Sequence, residues 1–113
     1  MTSLEHCIVL HRVVAAVAHE MLYTEDELRC GTTKPVARAR QLAWWLTREI
    51  TGATYPDLAR IVSRDRTTLM HGCQKIASLL HVDAALARQM RSVIARLDVQ
   101  QRARMSPAEA AAE

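Results

Sequence analysis

The chain is poor in the residues that build tight turns, cofactor loops and aromatic cores. Three glycines, Gly31, Gly52 and Gly72, are scattered through 113 residues. No phosphate-cradling loop can be assembled from them, which argues against a nucleotide site. Phenylalanine is absent and aromatics make up only 4%, so a core must rest on Leu, Val, Ile, Ala and Met. The cysteines Cys7, Cys30 and Cys73 are odd in number and unclustered. They lack metal-finger spacing and read as reduced thiols. His6, Cys7 and His11 are neighbours in sequence, but two of the three fall where a helix would face solvent, and no metal or other cofactor is expected. Long apolar runs are missing as well. His11 and Arg12 interrupt the N-terminal stretch, so neither a secretion signal nor a bilayer span is expected. These shortages together suggest a soluble cytoplasmic protein.

Half of the residues are nevertheless apolar, enough for one domain with one modest core. Charge is distributed unevenly. Residues 29–75 carry nine cations (Arg29, Lys34, Arg38, Arg40, Arg48, Arg60, Arg64, Arg66, Lys75) and three anions (Glu49, Asp57, Asp65). With a formal net charge of +3 for the whole, the middle stands at +6 and the remainder at −3. Concentrated positive charge suits a polyanionic partner.

The periodicity is helical throughout. Thr2-Ser3-Leu4-Glu5 is a capping box, followed by an apolar stripe at Cys7, Leu10, Val14, Val17 and Met21. Thr24 to Glu27 repeats the box and starts a short helix that Gly31 stops. Pro35 suits the first turn of the next helix, whose buried stripe is expected at Val36, Ala39, Ala43, Leu46 and Ile50, with Arg38, Gln41, Trp45 and Arg48 pointing elsewhere. Gly52 fits a left-handed position after its end. Thr54, Pro56 and Asp57 open another short helix with Leu58, Ile61 and Val62 inward. After the turn Ser63-Arg64, Asp65 caps a helix with Leu69, Cys73, Ile76 and Leu80 inside. Asp83 caps a final one carrying Leu86, Met90, Val93 and Leu97. No segment alternates as a strand does, so the fold class is all-α, a bundle of about six helices.

Two short helices at 55–62 and 66–80, joined by a tight turn, form a helix-turn-helix candidate. In that motif the second helix enters the major groove by its N-terminus. Arg66, Thr67, Met70, His71 and Gln74 would be presented there. Arginine can grip guanine bidentately, threonine can bond phosphate or touch a thymine methyl, and histidine can reach base or phosphate. The helix N-terminus itself favours an anion. An alternative class is a helical protein-interaction or dimerisation module. Trp44 and Trp45 are adjacent and cannot both face one core, so one of them could anchor a homodimer or partner. An enzyme is not expected, because His19, His71 and His81 have no defensible nucleophile or carboxylate beside them.

The stretch Arg64-Asp65-Arg66-Thr67-Thr68-Leu69-Met70-His71 resembles the signature of the DNA-binding domain of the bacterial replication initiator family DnaA. Val36 to Gln41, Leu46 to Thr51 and Tyr55 to Leu58 resemble other segments of that domain, in the same order and at nearly the same spacing. The likeness covers roughly residues 4–98. It implies a Trp-repressor-like helical domain over 1–98; residues 99–113, rich in Gln, Arg and Ala and without apolar periodicity, are expected as a flexible C-terminal tail. It also implies sequence-specific binding of double-stranded DNA at DnaA-box-like sites, controlling replication initiation or transcription, in a bacterial or phage nucleoid.

Carried over residue by residue, the resemblance puts Asp65, Thr67, Thr68 and His71 at the major groove, with Met70 where a leucine usually makes contact. Arg40 and Gln41 would meet backbone and bases, and Arg48 replaces a phosphate-binding lysine. Lys34, Arg38, Arg64, Arg66, Gln74 and Lys75 complete the expected DNA-binding set. There are departures. The family usually has histidine where this chain has Arg66. It has two glycines where this chain has Ser63 alone, and a minor-groove arginine where this chain has Thr32, with Lys34 or Arg29 nearby. The family's large ATPase domain precedes this module, whereas here the module begins almost at Met1, so a stand-alone binder without ATPase activity is expected.

Overall fold

The computed structural model describes residues 2–104, with side chains described through Gln100. Six helices and no strand occur among the described residues. The first, α1 (Ser3–Met21), opens on a complete capping box, in which Thr2 Oγ1 accepts from the Glu5 amide and Glu5 accepts from the Thr2 amide. The second, α2 (Glu25–Cys30), is capped by Thr24. The third, α3 (Lys34–Thr51), is capped by Thr33 and ends at Gly52, whose φ of 69° is the expected left-handed stop.

Next come α4 (Tyr55–Val62), capped by Thr54 with Pro56 in its first turn, and α5 (Arg66–Leu79), capped by Asp65. Asp83 then accepts from the Leu86 amide at the start of α6 (Ala84–Arg104). Helix α6 runs on through the first part of the span expected as a tail, and 105–113 lie outside the described residues.

Helix α3 is the hub. It packs on α1, α2 and α5, while α6 covers another side of α1 and α4 leans on α1 and α5. Two cores result. One gathers Val13 and Val17 of α1, Leu28, Leu42 and Leu46, Ile76, and Leu86 and Val93 of α6. The other joins Leu10 and Trp44 to Leu58, Ala59, Leu69 and Cys73 of the last two motif helices. Half-buried Val14 and Trp45 pack against both.

Several expected faces rotate by one position. Val13 and Ala16 are buried in α1, whereas Cys7, Val14 and Met21 are only half-buried. Having four neighbours (α2, α3, α4 and α6), α1 buries more of its circumference than one stripe. Ile50 is 47% exposed, because the last turn of α3 extends beyond its neighbours, and Leu42 and Trp44 supply the burial instead. Leu80 is half-buried, and α5 ends one residue before it. His6 is buried, with Nδ1 lacking a partner.

Candidate nucleic-acid interface

Helices α4 and α5 are joined by Ser63, Arg64 and Asp65 alone. Ser63 takes the left-handed conformation, φ 56°, and its amide donates to Ala59 O. This residue stands where the resemblance expected glycine, so the turn is made without one. The Arg64 amide also donates to Ala59 O, and its Nη2 donates to the Arg29 carbonyl at 2.9 Å. That bond ties the turn to the end of α2. The Asp65 carboxylate accepts from the Thr67 and Thr68 amides at 3.0 and 3.3 Å. Two of the four orphan donors of the α5 N-terminus are thereby satisfied.

Past the cap, α5 divides cleanly. Leu69, Gly72, Cys73 and Ile76 are buried. Arg66, Thr67, Thr68, His71, Gln74 and Lys75 are exposed, with Met70 half-buried at the margin. Spacings of three and four residues put Arg66, Met70 and Gln74 in one row and Thr67, His71 and Lys75 in the next. The side chains of Arg66, His71, Gln74 and Lys75 make no hydrogen bond or ion pair with the described chain, and neither does exposed Lys34 at the start of α3. The α3–α5 contact that sets the height of this face is close. A Cβ on Gly72 would lie 3.0 Å from Gln41 Cγ and 3.2 Å from two Trp44 ring carbons.

The remaining expected contacts are differently employed. Arg40 donates Nε to Leu28 O at 2.7 Å and Nη2 to Gly31 O. It therefore closes the C-terminus of α2 and is half-buried, set back from the face of α5. Burial first, and the charge of neighbouring Arg64 second, hold its guanidinium below the ordinary arginine value. Gln41 is half-buried against Gly72. Arg48 stacks over the Tyr55 ring, 3.8 Å from its centroid, and donates to Ala53 O. Arg38 is half-buried, with Nε unpartnered. Arg29, the nearby alternative to Lys34, is engaged by Asp26 at 2.8 Å.

Sequence reasoning missed the bracing by Arg40 and Arg64 of α2 carbonyls, since a side chain bonding to a distant backbone leaves no trace in periodicity. Nor did it assign Gly72 to a helix contact, although a glycine in the middle of an amphipathic helix is a signal of close approach. Trp44 is buried and Trp45 is half-buried against both cores, so neither stands out as an exposed aromatic anchor.

Residues 10–76 match the family described as the bacterial dnaA protein helix-turn-helix. The chain is 38% identical over 85 residues to the chromosomal replication initiator protein DnaA of Symbiobacterium thermophilum, covering 74% of this chain and 18% of that one. To the protein of the same name from Caulobacter vibrioides it is 32% identical over 84 residues, 74% of this chain and 17% of the relative. To that of Caldanaerobacter subterraneus it is 35% identical over 73 residues, 65% and 16%. The chain thus spans less than a fifth of the length of these relatives. It belongs to the bacterial DnaA helix-turn-helix family.

Proposed function

We propose that this member of the bacterial DnaA helix-turn-helix family binds double-stranded DNA at DnaA-box-like sites, with α5 entering the major groove. The observation that carries the reading is the outward face of α5. Arg66, Thr67, His71 and Gln74 stand there exposed beside a helix N-terminus, and Lys34, Arg64, Arg66 and Lys75 have no acidic partner among the described residues.

On this reading Arg66, Thr67, Met70, His71 and Gln74 meet base edges. Lys34, Arg64, Thr68 and Lys75 meet phosphate. Arg48, held by Tyr55, and Arg38 lie on the flank and add phosphate contacts. Asp65 orients the first turn through its cap, and Arg40 and Gln41 support α5 from behind. The relatives are named as chromosomal replication initiators, and the role we assign is control of replication initiation or transcription at such sites, in the nucleoid, with binding that needs no nucleotide.

Fluorescence anisotropy with a DnaA-box duplex and a scrambled duplex of equal length tests this. Preference for the box by about 10³ at physiological salt, unchanged by added ATP, is the expected result. Equal affinity for the two duplexes would overturn the specific reading. No affinity for either would turn attention to a protein-interaction role.

A further inference from the structure

Behind the helix-turn-helix lies a cavity of about 300 Å³, bounded by α1, the end of α2, α3 and the α4–α5 turn. Its volume is at the small end of the range of ligand sites, roughly 300–1,000 Å³. The lining is mainly apolar, with Leu10, Val14, Ala43 and Trp44 among the contributors, yet Arg40 and Arg64 also line it, beside His11 and beside Arg29, whose guanidinium is held by Asp26. No Asp or Glu lines it.

The two guanidiniums repel each other, and the charge of Arg64 is one reason that Arg40 is less basic than usual. Each spends only part of its donors on α2 carbonyls. Arg40 uses Nε and Nη2, and Arg64 uses Nη2. Arg40 Nη1 and Arg64 Nε and Nη1 retain N–H groups with no acceptor in the described chain. An apolar wall beside two uncompensated arginines is complementary to one kind of molecule, an apolar body ending in an anion.

We infer that this cavity is a binding site for a small apolar carboxylate, whose charged end sits between Arg40 and Arg64 and whose apolar body lies against Leu10, Val14 and Trp44. Planar carboxylates match the guanidinium fork. Arg64 is shared with the proposed phosphate contacts, but the inference does not depend on DNA binding, and its test contains no DNA.

Octanoate is the probe, with octanol as its uncharged counterpart, followed by NMR on the whole chain. Octanoate should shift the Leu10, Val14 and Ala43 methyls and the Trp44 indole N–H saturably, and octanol should bind at least tenfold more weakly. Arg64→Gln, at an exposed position, removes the charge and should weaken octanoate about tenfold while leaving octanol unaffected. Cys7→Trp, which fills the cavity from its α1 side, should abolish both responses without changing the thermal transition. Non-saturable shifts, shifts centred on exposed Leu22 or Val82 instead of the cavity, or equal binding of octanol and octanoate would each overturn the inference. Should Cys7→Trp fail to fold, the Arg64→Gln comparison decides alone.

Discussion

On the proposed reading Arg66 is the residue on which DNA specificity turns, because it holds the first position of α5, is exposed and has no partner among the described residues. An arginine there is longer than the histidine the family usually carries and is permanently charged. It can take guanine N7 and O6 together, which discriminates by roughly 1–3 kcal/mol. Sites selected from a random duplex library should therefore carry an altered position, shifted toward guanine. Arg66→His should return the selection to the usual box, and Arg66→Ala should relax that position. If Arg66→Ala weakens all duplexes alike, the contact is to phosphate. Cys73 makes a second residue-scale case. Burial pushes its thiol from 9.0 up to about 11. The folded state thus holds the proton more tightly than the unfolded state, so this stabilisation is complete below pH 9 and fades as pH rises to about 11. Two units correspond to about 2–3 kcal/mol. In urea unfolding across that range, the stability advantage of wild type over Cys73→Ala should shrink; a constant difference would show that the thiol does not titrate this way.

The starts of the elements were legible in sequence because polar caps act locally. Thr2, Thr24, Thr54, Asp65 and Asp83 all accept from amides two or three residues on, and a bond of that span is encoded in adjacent letters. Burial was less legible, since it depends on how many neighbours an element finds. That is why Ile50, with the right period, stays exposed and why Val13 becomes core. Of the α5 residues expected to face outward, Arg66, Thr67, His71 and Gln74 are exposed and Met70 is half-buried, whereas the bonds of Arg40 were not legible, as its acceptors are nine and twelve residues away. The α3–α5 contact yields an element-scale prediction. Gly72→Ala gains about 1 kcal/mol of helix propensity but must move Gln41 or Trp44 by a few tenths of an ångström. Its net effect on urea unfolding should stay within about 1 kcal/mol. Gly72→Leu has no room and should cost about 2–3 kcal/mol by overpacking. Equal stability of the two variants would mean that α5 sits further from α3 than described.

At the scale of the whole molecule, the charge asymmetry seen in sequence is refined by the fold. Of the nine cations in residues 29–75, Arg29 and Arg60 are paired with Asp26 and Asp57, and Arg40 is turned to backbone carbonyls. On the proposed reading Arg66 goes to a base and five remain for phosphate, and at about 0.9 per contact log K should fall against log salt with a slope of about −4 to −5. Arg48→Ala should make that slope shallower by about one and weaken all sequences alike; an unchanged slope would remove Arg48 from the contact set. The way the two cores are shared carries a different consequence. The core beneath the helix-turn-helix takes Leu10 from α1 and Trp44 from α3, and Trp45 and Val14 stitch it to the other core. A segment containing only α4 and α5 would leave Leu58 and Leu69 without half of their surroundings. The helix-turn-helix unit is therefore not portable. It could be transplanted into another protein only together with the helices behind it, so recombination would have to pass on the whole bundle for the reading helix to keep its shape.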